Sequence, residues 1–183
     1  MPVKRREFIA KAGAAAVSMT VLGPELVRGT QANSRVRLGL VGCGGRGEWI
    51  AGLFQKHGGF EVVAVADSNE KLARAAAARL GIPKVYASGE ALVADRAVEV
   101  VHNCAPNNVH FALNKQALEA GKDVLSEKPL SLDAKESAEL VQLAAKHKAL
   151  TGINFCYRYY PVVQEAAARV RRGDLGEVRA LMG

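Results

Sequence analysis

Residues 36–47 read VRLGLVGCGGRG, an apolar run that passes directly into a cluster of glycines. Gly42, Gly44 and Gly47 have the spacing G-x-G-x-x-G, and Gly45 completes the cluster. In this arrangement the first glycine allows a tight turn, the second lets the backbone approach a pyrophosphate, and the third lets a helix pack against the strand. The start of that helix would present unpaired N–H groups to an anion. The stretch therefore predicts a strand, a phosphate-binding loop and a helix.

An acidic residue stands where a second contact to the same ligand is needed. Asp67 follows the next apolar run, 20 residues after Gly47, and its carboxylate would accept hydrogen bonds from the ribose hydroxyls of an adenine dinucleotide. The same charge would repel a 2′-phosphate, which favours NAD, although Lys71 and Arg74 could offset that repulsion and allow NADP. Arg46 leaves the loop beside the expected pyrophosphate and is a candidate phosphate contact. An exposed arginine without a role is the alternative.

The rest of the chain alternates between short apolar runs and helix-like stretches. Runs rich in valine indicate strands buried on both faces, and helices between them imply right-handed crossovers in a parallel sheet. The sequence therefore predicts an α/β fold, a doubly wound parallel sheet of the NAD(P)-binding Rossmann type. The predicted strands lie at 36–41, 62–66, 84–86, 98–104, 123–125 and 149–155, and the predicted helices at 48–57, 70–80, 109–120, 134–147 and 161–172.

The composition is close to that of an average soluble globular protein, which excludes collagen-like, disordered and disulfide-rich classes. The 183 residues are 49% hydrophobic and 23% charged. Of the formal net charge of +7, residues 1–32 carry +3, which leaves +4 on the remainder, without a clustered basic stripe. We therefore expect no nucleic-acid partner. Three cysteines do not make a disulfide framework, so reduced thiols are expected, with an oxidised Cys43–Cys104 pair as the alternative.

The first 32 residues have the layout of an export signal. A charged start, KRREF at residues 4–8, precedes an Ala-rich apolar run over residues 12–22, and this run is too short to span a bilayer. The paired arginines resemble those of a twin-arginine signal, although Lys4 stands where Ser or Thr is usual. This predicts export to the periplasm, or otherwise out of the cytoplasm, through the twin-arginine translocation machinery. An ordinary amphipathic helix is the alternative.

Two further motifs follow the fourth and fifth predicted strands. The first is CAPNNVH at residues 104–110, and the second is SEKP at residues 126–129. Both stand at the carboxyl ends of strands, which is the edge where ligands bind in an open parallel sheet. Pro106 with Asn107 would turn the chain beneath a nicotinamide ribose. Glu127 with Lys128 would place a carboxylate and a cation at the nicotinamide end.

Together with the glycine loop and GINFCYRY at residues 152–159, these motifs resemble the N-terminal half of the glucose–fructose oxidoreductase, inositol dehydrogenase and rhizopine catabolism (Gfo/Idh/MocA) family. The resemblance implies an N-terminal NAD(P) domain and a C-terminal α/β domain that carries the substrate site and often the interface of a homo-oligomer. It also implies hydride transfer between the nicotinamide and a secondary alcohol of a sugar, cyclitol or related polyol. Lys128 would be the catalytic residue, which orients the substrate hydroxyl and assists proton transfer.

Several residues have a candidate role with a plain alternative. His110 begins a helix beside the expected cofactor and is a candidate contact to it, with capping or packing as the alternative. Arg158 is a candidate contact to an anion or hydroxyl of the ligand at the domain junction, with a purely interdomain role as the alternative. His57, His102 and His147 lack a partner cluster in the sequence, so no metal site is expected.

The chain divides into three predicted parts. They are an export signal at 1–32, the NAD(P)-binding domain at 33–155, and a linker helix with the first strand of a truncated second domain at 156–183. The resemblance implies further catalytic groups, commonly an Asp and a His, on that second domain, and none is matched here. Two alternatives to an oxidoreductase therefore stay open. One is a catalytically incompetent nucleotide-binding fragment, and the other, ranked lower because the Glu-Lys-Pro motif is intact, is the NAD-dependent glycosidase branch of the same family.

Overall fold

The computed structural model describes residues 35–177 together with residues 179 and 180. The export signal predicted at 1–32 lies outside these residues, as do residues 178 and 181 of the further strand that the sequence predicts at 178–181. Within the part of the chain that is described, no helix is both long enough and apolar enough to cross a membrane.

Six parallel strands form one sheet, and helices cover both of its faces. The strands are β1 (Val36–Val41), β2 (Phe60–Ala66), β3 (Lys84–Tyr86), β4 (Val100–Asn103), β5 (Asp123–Ser126) and β6 (Thr151–Ile153). The α-helices are α1 (Gly45–His57), α2 (Glu70–Leu80), α3 (Gly89–Val93), α4 (His110–Glu119), α5 (Ala134–His147) and α6 (Pro161–Arg172). The strand order is β3-β2-β1-β4-β5-β6, and each neighbouring pair is parallel. This is the doubly wound Rossmann order, so the predicted fold class is confirmed.

Each face of the sheet carries its own apolar core. One core packs α4 and α5 against the sheet through side chains such as Leu113, Leu118 and Leu140. The other packs α1 and α2 against Leu38 and Leu40, and the small side chains of α2 let that helix lie close to the strands. Five consecutive residues at the end of β2 are buried, as expected for a strand that is covered on both sides.

The structure differs from the sequence prediction mainly at element ends. α1 begins at Gly45, three residues before the predicted start, although glycine has a low helix propensity; Gly47, in the first turn, packs against the backbone of Gly42. The short helix α3 was not predicted, since five residues are too few to show a helical period; the Ser88 side chain caps it by accepting from the N–H of Ala91 at 3.2 Å. β4 and β6 are shorter than the apolar runs that predicted them.

The topology positions the candidate site. The sheet order reverses between β1 and β4, which lie side by side although two strands and three helices separate them in the chain. The chain leaves these two strands toward opposite sides, so a crevice opens at their carboxyl ends. The glycine loop follows β1, the CAPNNVH motif follows β4, and the Glu-Lys-Pro motif follows β5. All three predicted motifs therefore lie along one edge of the sheet.

Candidate functional site

The glycine loop joins β1 to α1 and excludes side chains at two positions. Gly42 has a φ of +91°, and a Cβ built on it would lie 2.5 Å from the carbonyl group of Cys104. A Cβ on Gly47 would lie 1.9 Å from the carbonyl oxygen of Gly42. Gly44 and Gly45 are exposed, and no atom lies within 4 Å of a Cβ built on either. Gly42 and Gly47 thus set the shape of the loop, whereas Gly44 and Gly45 border open space.

That open space lies in front of the first turn of α1. Gly44 is the N-cap residue and supplies no side chain to the helix end. The N–H groups of the first helical turn have no acceptor within the helix, and the helix dipole adds a partial positive charge there. The arrangement can hold an anion against backbone groups, as the sequence predicts for a pyrophosphate.

Asp67 is fixed at the end of β2 by two backbone hydrogen bonds. Its Oδ2 accepts from the N–H of Cys43 at 2.8 Å, and its Oδ1 accepts from the N–H of Asn69 at 2.8 Å. The first bond joins the carboxylate directly to the glycine loop, a contact that sequence spacing does not reveal. Each carboxylate oxygen keeps a second lone pair, so Asp67 can still accept from the hydroxyls of a ribose.

Glu127 is the centre of a polar cluster at the end of β5. It is 7% exposed, and its Oε1 accepts from Asn154 Nδ2 at 2.5 Å and from Arg46 Nε at 3.3 Å. The guanidinium of Arg46 also lies 5.1 Å from the centre of the Trp49 ring. Arg46, the candidate phosphate contact, forms an ion pair with Glu127 in this structure, and its contact to a phosphate stays a prediction. Asn154, which the sequence analysis did not single out, belongs to the same cluster.

His110 links the two loops that follow β4 and β5. Its ring is 1% exposed; Nδ1 lies 2.6 Å from the carbonyl oxygen of Pro129, and Nε2 lies 2.8 Å from the carbonyl oxygen of Ala105. A neutral ring carries one N–H and donates to the carbonyl that this N–H faces, whereas an imidazolium donates to both carbonyls. Both nitrogens are therefore engaged by the protein, which favours the packing alternative over direct contact with a ligand.

Replacing His110 by leucine tests this link. The variant removes the ring that faces the two carbonyl oxygens and donates a hydrogen bond there, and it changes the shape of a filled site, so we expect the free energy of unfolding to fall by about 2–4 kcal/mol. Urea unfolding followed by circular dichroism measures the change. His147→Leu is the matched control, because His147 is exposed on α5 and should change stability by less than about 0.5 kcal/mol. Equal midpoints for the two variants would show that His110 does not clamp the loops.

A chain of buried polar side chains on the α4 side of the sheet connects the same two strand ends. Asn103 Nδ2 donates to Asn114 Oδ1 at 2.8 Å, and Asn114 Nδ2 donates to Ser126 Oγ at 3.0 Å. Ser126 Oγ in turn donates to the backbone oxygen of Glu127 at 3.0 Å. These side chains are buried, and their sequence spacing gives no sign that they meet. They fix the backbone that carries Glu127 and Lys128.

Fewer than half of the predicted site residues border a single cleft of about 470 Å³. Its walls include five of them, namely Arg46, Asn107, His110, Glu127 and Lys128. Pro106 immediately precedes the 3-10 turn that begins at Asn107, and Lys128 is exposed. Arg158 is not brought to this cleft; it lines a separate cavity together with Ser126, Ile153 and Phe155. Its predicted contact to the ligand stays a prediction.

The cysteines of the described region are free thiols, and Cys43 and Cys104 do not form a disulfide in this structure. Burial, followed by the nearby charge of Asp67, raises the pKa of Cys43 to about 12. Burial, followed by the charge of Glu127, raises the pKa of Cys104 to about 12. Both thiols therefore stay protonated near neutral pH, so neither is an activated nucleophile.

His102 has neighbours that the sequence analysis did not anticipate. It lies beside Cys104 and Glu127, and one ligand atom from each of the three lies within 4.8 Å of the others. The prediction that His102 lacks a partner cluster is therefore wrong. The sequence feature that indicates this cluster is a His-x-Cys pattern at the end of one strand, with a Glu at the end of the next strand. Burial lowers the pKa of His102 to about 4, so its ring is neutral near neutral pH.

Comparison with known proteins agrees with this geometry. Residues 36–155 match a family described as oxidoreductases with an NAD-binding Rossmann fold. An uncharacterised oxidoreductase of Rhizobium meliloti is 39% identical over 125 residues, which is 68% of this chain and 37% of that protein. A D-xylose 1-dehydrogenase (NADP⁺) of Haloferax volcanii is 36% identical over 118 residues, which is 64% of this chain and 36% of that protein.

A solved structure has the same fold over most of the chain. It is an NAD-binding oxidoreductase from Klebsiella pneumoniae, 31% identical, with a TM-score of 0.72 over 78% of this chain and 40% of that one. The chain thus spans about two fifths of the length of the relatives that it matches.

Proposed function

Because the chain belongs to the Gfo/Idh/MocA oxidoreductase family, with an NAD-binding Rossmann fold, we propose that it is the nucleotide-binding part of an NAD(P)-dependent oxidoreductase. The reaction is the transfer of a hydride between a sugar or related polyol and the nicotinamide. One observation carries this proposal: the glycine loop, Asp67 and the Glu127–Lys128 pair converge on the carboxyl edge of one sheet. The two alternatives, an incompetent fragment and a glycosidase, have no such observation in their favour.

The glycine loop binds the pyrophosphate of the cofactor. Gly44 and Gly45 leave the approach to α1 open, so backbone N–H groups of the first helical turn can donate to phosphate oxygens. Gly42 is in its left-handed conformation before any ligand arrives. The loop is held in that shape by Asp67, which accepts from the N–H of Cys43. Little rearrangement is then needed on binding.

Asp67 binds the ribose of the adenosine half. It accepts hydrogen bonds from the 2′- and 3′-hydroxyls through the lone pairs that the backbone leaves free. Its charge opposes a 2′-phosphate at the same place, which makes NAD the preferred cofactor and NADP the weaker one.

Lys128 acts at the nicotinamide end of the proposed binding site. When bound, the nicotinamide supplies the hydride acceptor. Lys128 is exposed at the mouth of the cleft, whereas its neighbour Glu127 is buried beside Arg46 and Asn154. Lys128 Nζ hydrogen-bonds the substrate hydroxyl and, as the neutral amine, takes up its proton as the alcohol is oxidised. Pro106 and Asn107 support the ribose next to this ring, on the loop that His110 holds in place.

The remaining parts of the chain have roles that follow from the sequence. We propose that residues 1–32 direct export through the twin-arginine machinery, as the paired arginines within KRREF suggest. The domain boundary falls after residue 155, where the family match ends. Residues from 156 onward then lead into a substrate domain, which supplies the remaining substrate contacts and the homo-oligomer interface.

Asp67→Asn tests the nucleotide assignment. The substitution keeps one carbonyl oxygen as an acceptor but removes the charge that binds the ribose. Because a hydrogen bond to a charged group contributes about 1.5–3 kcal/mol, we expect NADH to bind about ten- to a hundredfold more weakly. NADPH should bind as tightly as before or more tightly, since the repulsion of its 2′-phosphate is gone. Titrations of the 183-residue chain with each nucleotide, followed by nucleotide fluorescence, measure both effects.

Asp174→Asn is the control for this titration. Asp174 is exposed and pairs with Arg172 after α6, so its substitution should leave both affinities unchanged. An equal loss of NADH and NADPH binding in Asp67→Asn would mean that Asp67 acts only by shaping the loop. If the folded wild-type chain binds neither nucleotide, the proposed function is wrong.

A further inference from the structure

His102 is a buried polar side chain that the proposed reaction does not use. The residue is 0% exposed, and neither of its ring nitrogens has a hydrogen-bond partner among the described residues. Buried polar atoms in folded proteins almost always have a hydrogen-bond partner, so the unpaired ring of His102 points to a bound group. A neutral imidazole offers one lone pair, which is what a metal ion binds.

The sheet geometry gives His102 two further ligands. Alternate residues of a strand point to the same face, so His102 and Cys104, at the end of β4, share a face. Leu125 is the partner of His102 in the register between β4 and β5, which places Glu127 on that face as well. His102 Nε2 lies 3.9 Å from Glu127 Oε1, and the nearest ligand atoms of all three side chains lie within 4.8 Å of one another.

We propose that His102, Cys104 and Glu127 form a binding site for a divalent cation of the zinc class. One nitrogen, one sulfur and one oxygen suit a borderline metal such as Zn²⁺ rather than the oxygen-seeking Mg²⁺ or Ca²⁺. Ligand atoms around tetrahedral zinc lie roughly 3.5 Å apart, given bonds of about 2.0–2.3 Å. The ligand atoms, which lie within 4.8 Å of one another, therefore need to approach by at most about 1.3 Å. The fourth position faces the cleft, which Cys104 and Glu127 both line.

Arg46 is the group that the cation would displace. Its guanidinium now pairs with Glu127 Oε1, and a cation beside it would be repelled. The Arg46 side chain is 46% exposed, so it can swing away from the carboxylate into the cleft. Cys104 releases its thiol proton when the metal binds, and the resulting thiolate adds a second negative charge to that of Glu127. Asn154 can keep its hydrogen bond to Oε1, the oxygen that lies near His102, because that oxygen has a second lone pair for the metal.

Cobalt provides the test, because Co²⁺ occupies zinc sites and a Co–thiolate bond absorbs in the near ultraviolet. We expect a titration of the 183-residue chain with Co²⁺, without nucleotide, to give this band and to saturate at one equivalent. Addition of Zn²⁺ should remove the band. Cys104→Ala should lose it completely. In His102→Leu and Glu127→Gln the band should persist with affinity lower by about a hundredfold or more.

Cys156→Ala is the matched control, since Cys156 is a half-buried thiol that lines the same cleft. This variant should bind Co²⁺ like the wild type. Thermal unfolding gives a second readout that does not depend on colour: Zn²⁺ should raise the melting temperature of the wild type and of Cys156→Ala but not of Cys104→Ala. Glu127→Gln, which keeps the shape of the side chain, covers the case in which Cys104→Ala fails to fold.

Three results would overturn the site. They are the absence of a thiolate band at saturating Co²⁺, a band that survives in Cys104→Ala, and a band that is lost in Cys156→Ala. The measurement contains no nucleotide, so it stands or falls separately from the proposed function.

Discussion

Gly44→Val should abolish saturable NADH binding while leaving the fold intact. Gly44 has extended backbone angles, φ −62° and ψ 176°, which any residue adopts. No atom lies within 4 Å of a Cβ at this position, so the free energy of unfolding should change by less than about 0.5 kcal/mol. The valine side chain would, however, fill the space in front of α1 that the pyrophosphate needs. A steric cost of about 3 kcal/mol corresponds to roughly a hundredfold or greater loss of affinity.

The measurement combines nucleotide fluorescence with urea unfolding of the same samples. Gly52→Ala is the matched control, because Gly52 lies further along α1 and a Cβ there meets Leu80 only at 3.9 Å. That variant should bind NADH normally and gain up to about 1 kcal/mol from the better helix propensity of alanine. Wild-type NADH affinity in Gly44→Val would contradict the position that we propose for the pyrophosphate.

Gly47→Ala should have the opposite effect and damage the fold itself. The added methyl carbon would lie 1.9 Å from the carbonyl oxygen of Gly42 and 3.3 Å from Cys104 Cβ. The first of these is a backbone atom, so no side-chain rotation can relieve the overlap, and the loop must separate from α1. We expect the free energy of unfolding to fall by about 3 kcal/mol or more, which lowers the melting temperature by about 6–12 °C.

Circular dichroism during thermal and urea unfolding measures this loss. Gly52→Ala again serves as the control, since it makes the same chemical change in the same helix in open surroundings. An unchanged midpoint in Gly47→Ala would mean that the loop adapts to a side chain at this position. Gly44→Val thus tests whether the loop leaves space for a ligand, and Gly47→Ala tests whether a glycine is needed for contact between two parts of the backbone.

Local sequence was sufficient for the parts of the fold that depend on short-range patterns. The spacing of Gly42, Gly44 and Gly47 predicts the turn after β1, and valine-rich runs predict a sheet buried on both faces. The exact start of α1 was missed because the glycines suggest a loop, whereas the turn in which Gly47 packs against the backbone of Gly42 is already helical from Gly45. Helix α3 was missed because its few residues show no period.

The sequence names candidate site residues but does not show which contacts they make with one another. Sequence position places Asp67 at a strand end, yet its bond to the N–H of Cys43 depends on how β1 and β2 align. The pairing of Arg46 with Glu127 joins residues 81 positions apart, which no local pattern can show. The same holds for His102, whose neighbours are visible only once β4 and β5 are placed in register.

His110 couples the loop that follows β4 to the loop that follows β5. The imidazole lies between the carbonyl groups of Ala105 and Pro129, so it connects the segment with Pro106 to the segment with Lys128. The entropy of ordering them is lost when the chain folds rather than when a ligand arrives. A displacement of one segment then displaces the other through the His110 ring. We therefore expect a ligand that contacts only the Pro106 segment to affect the position of Lys128 as well.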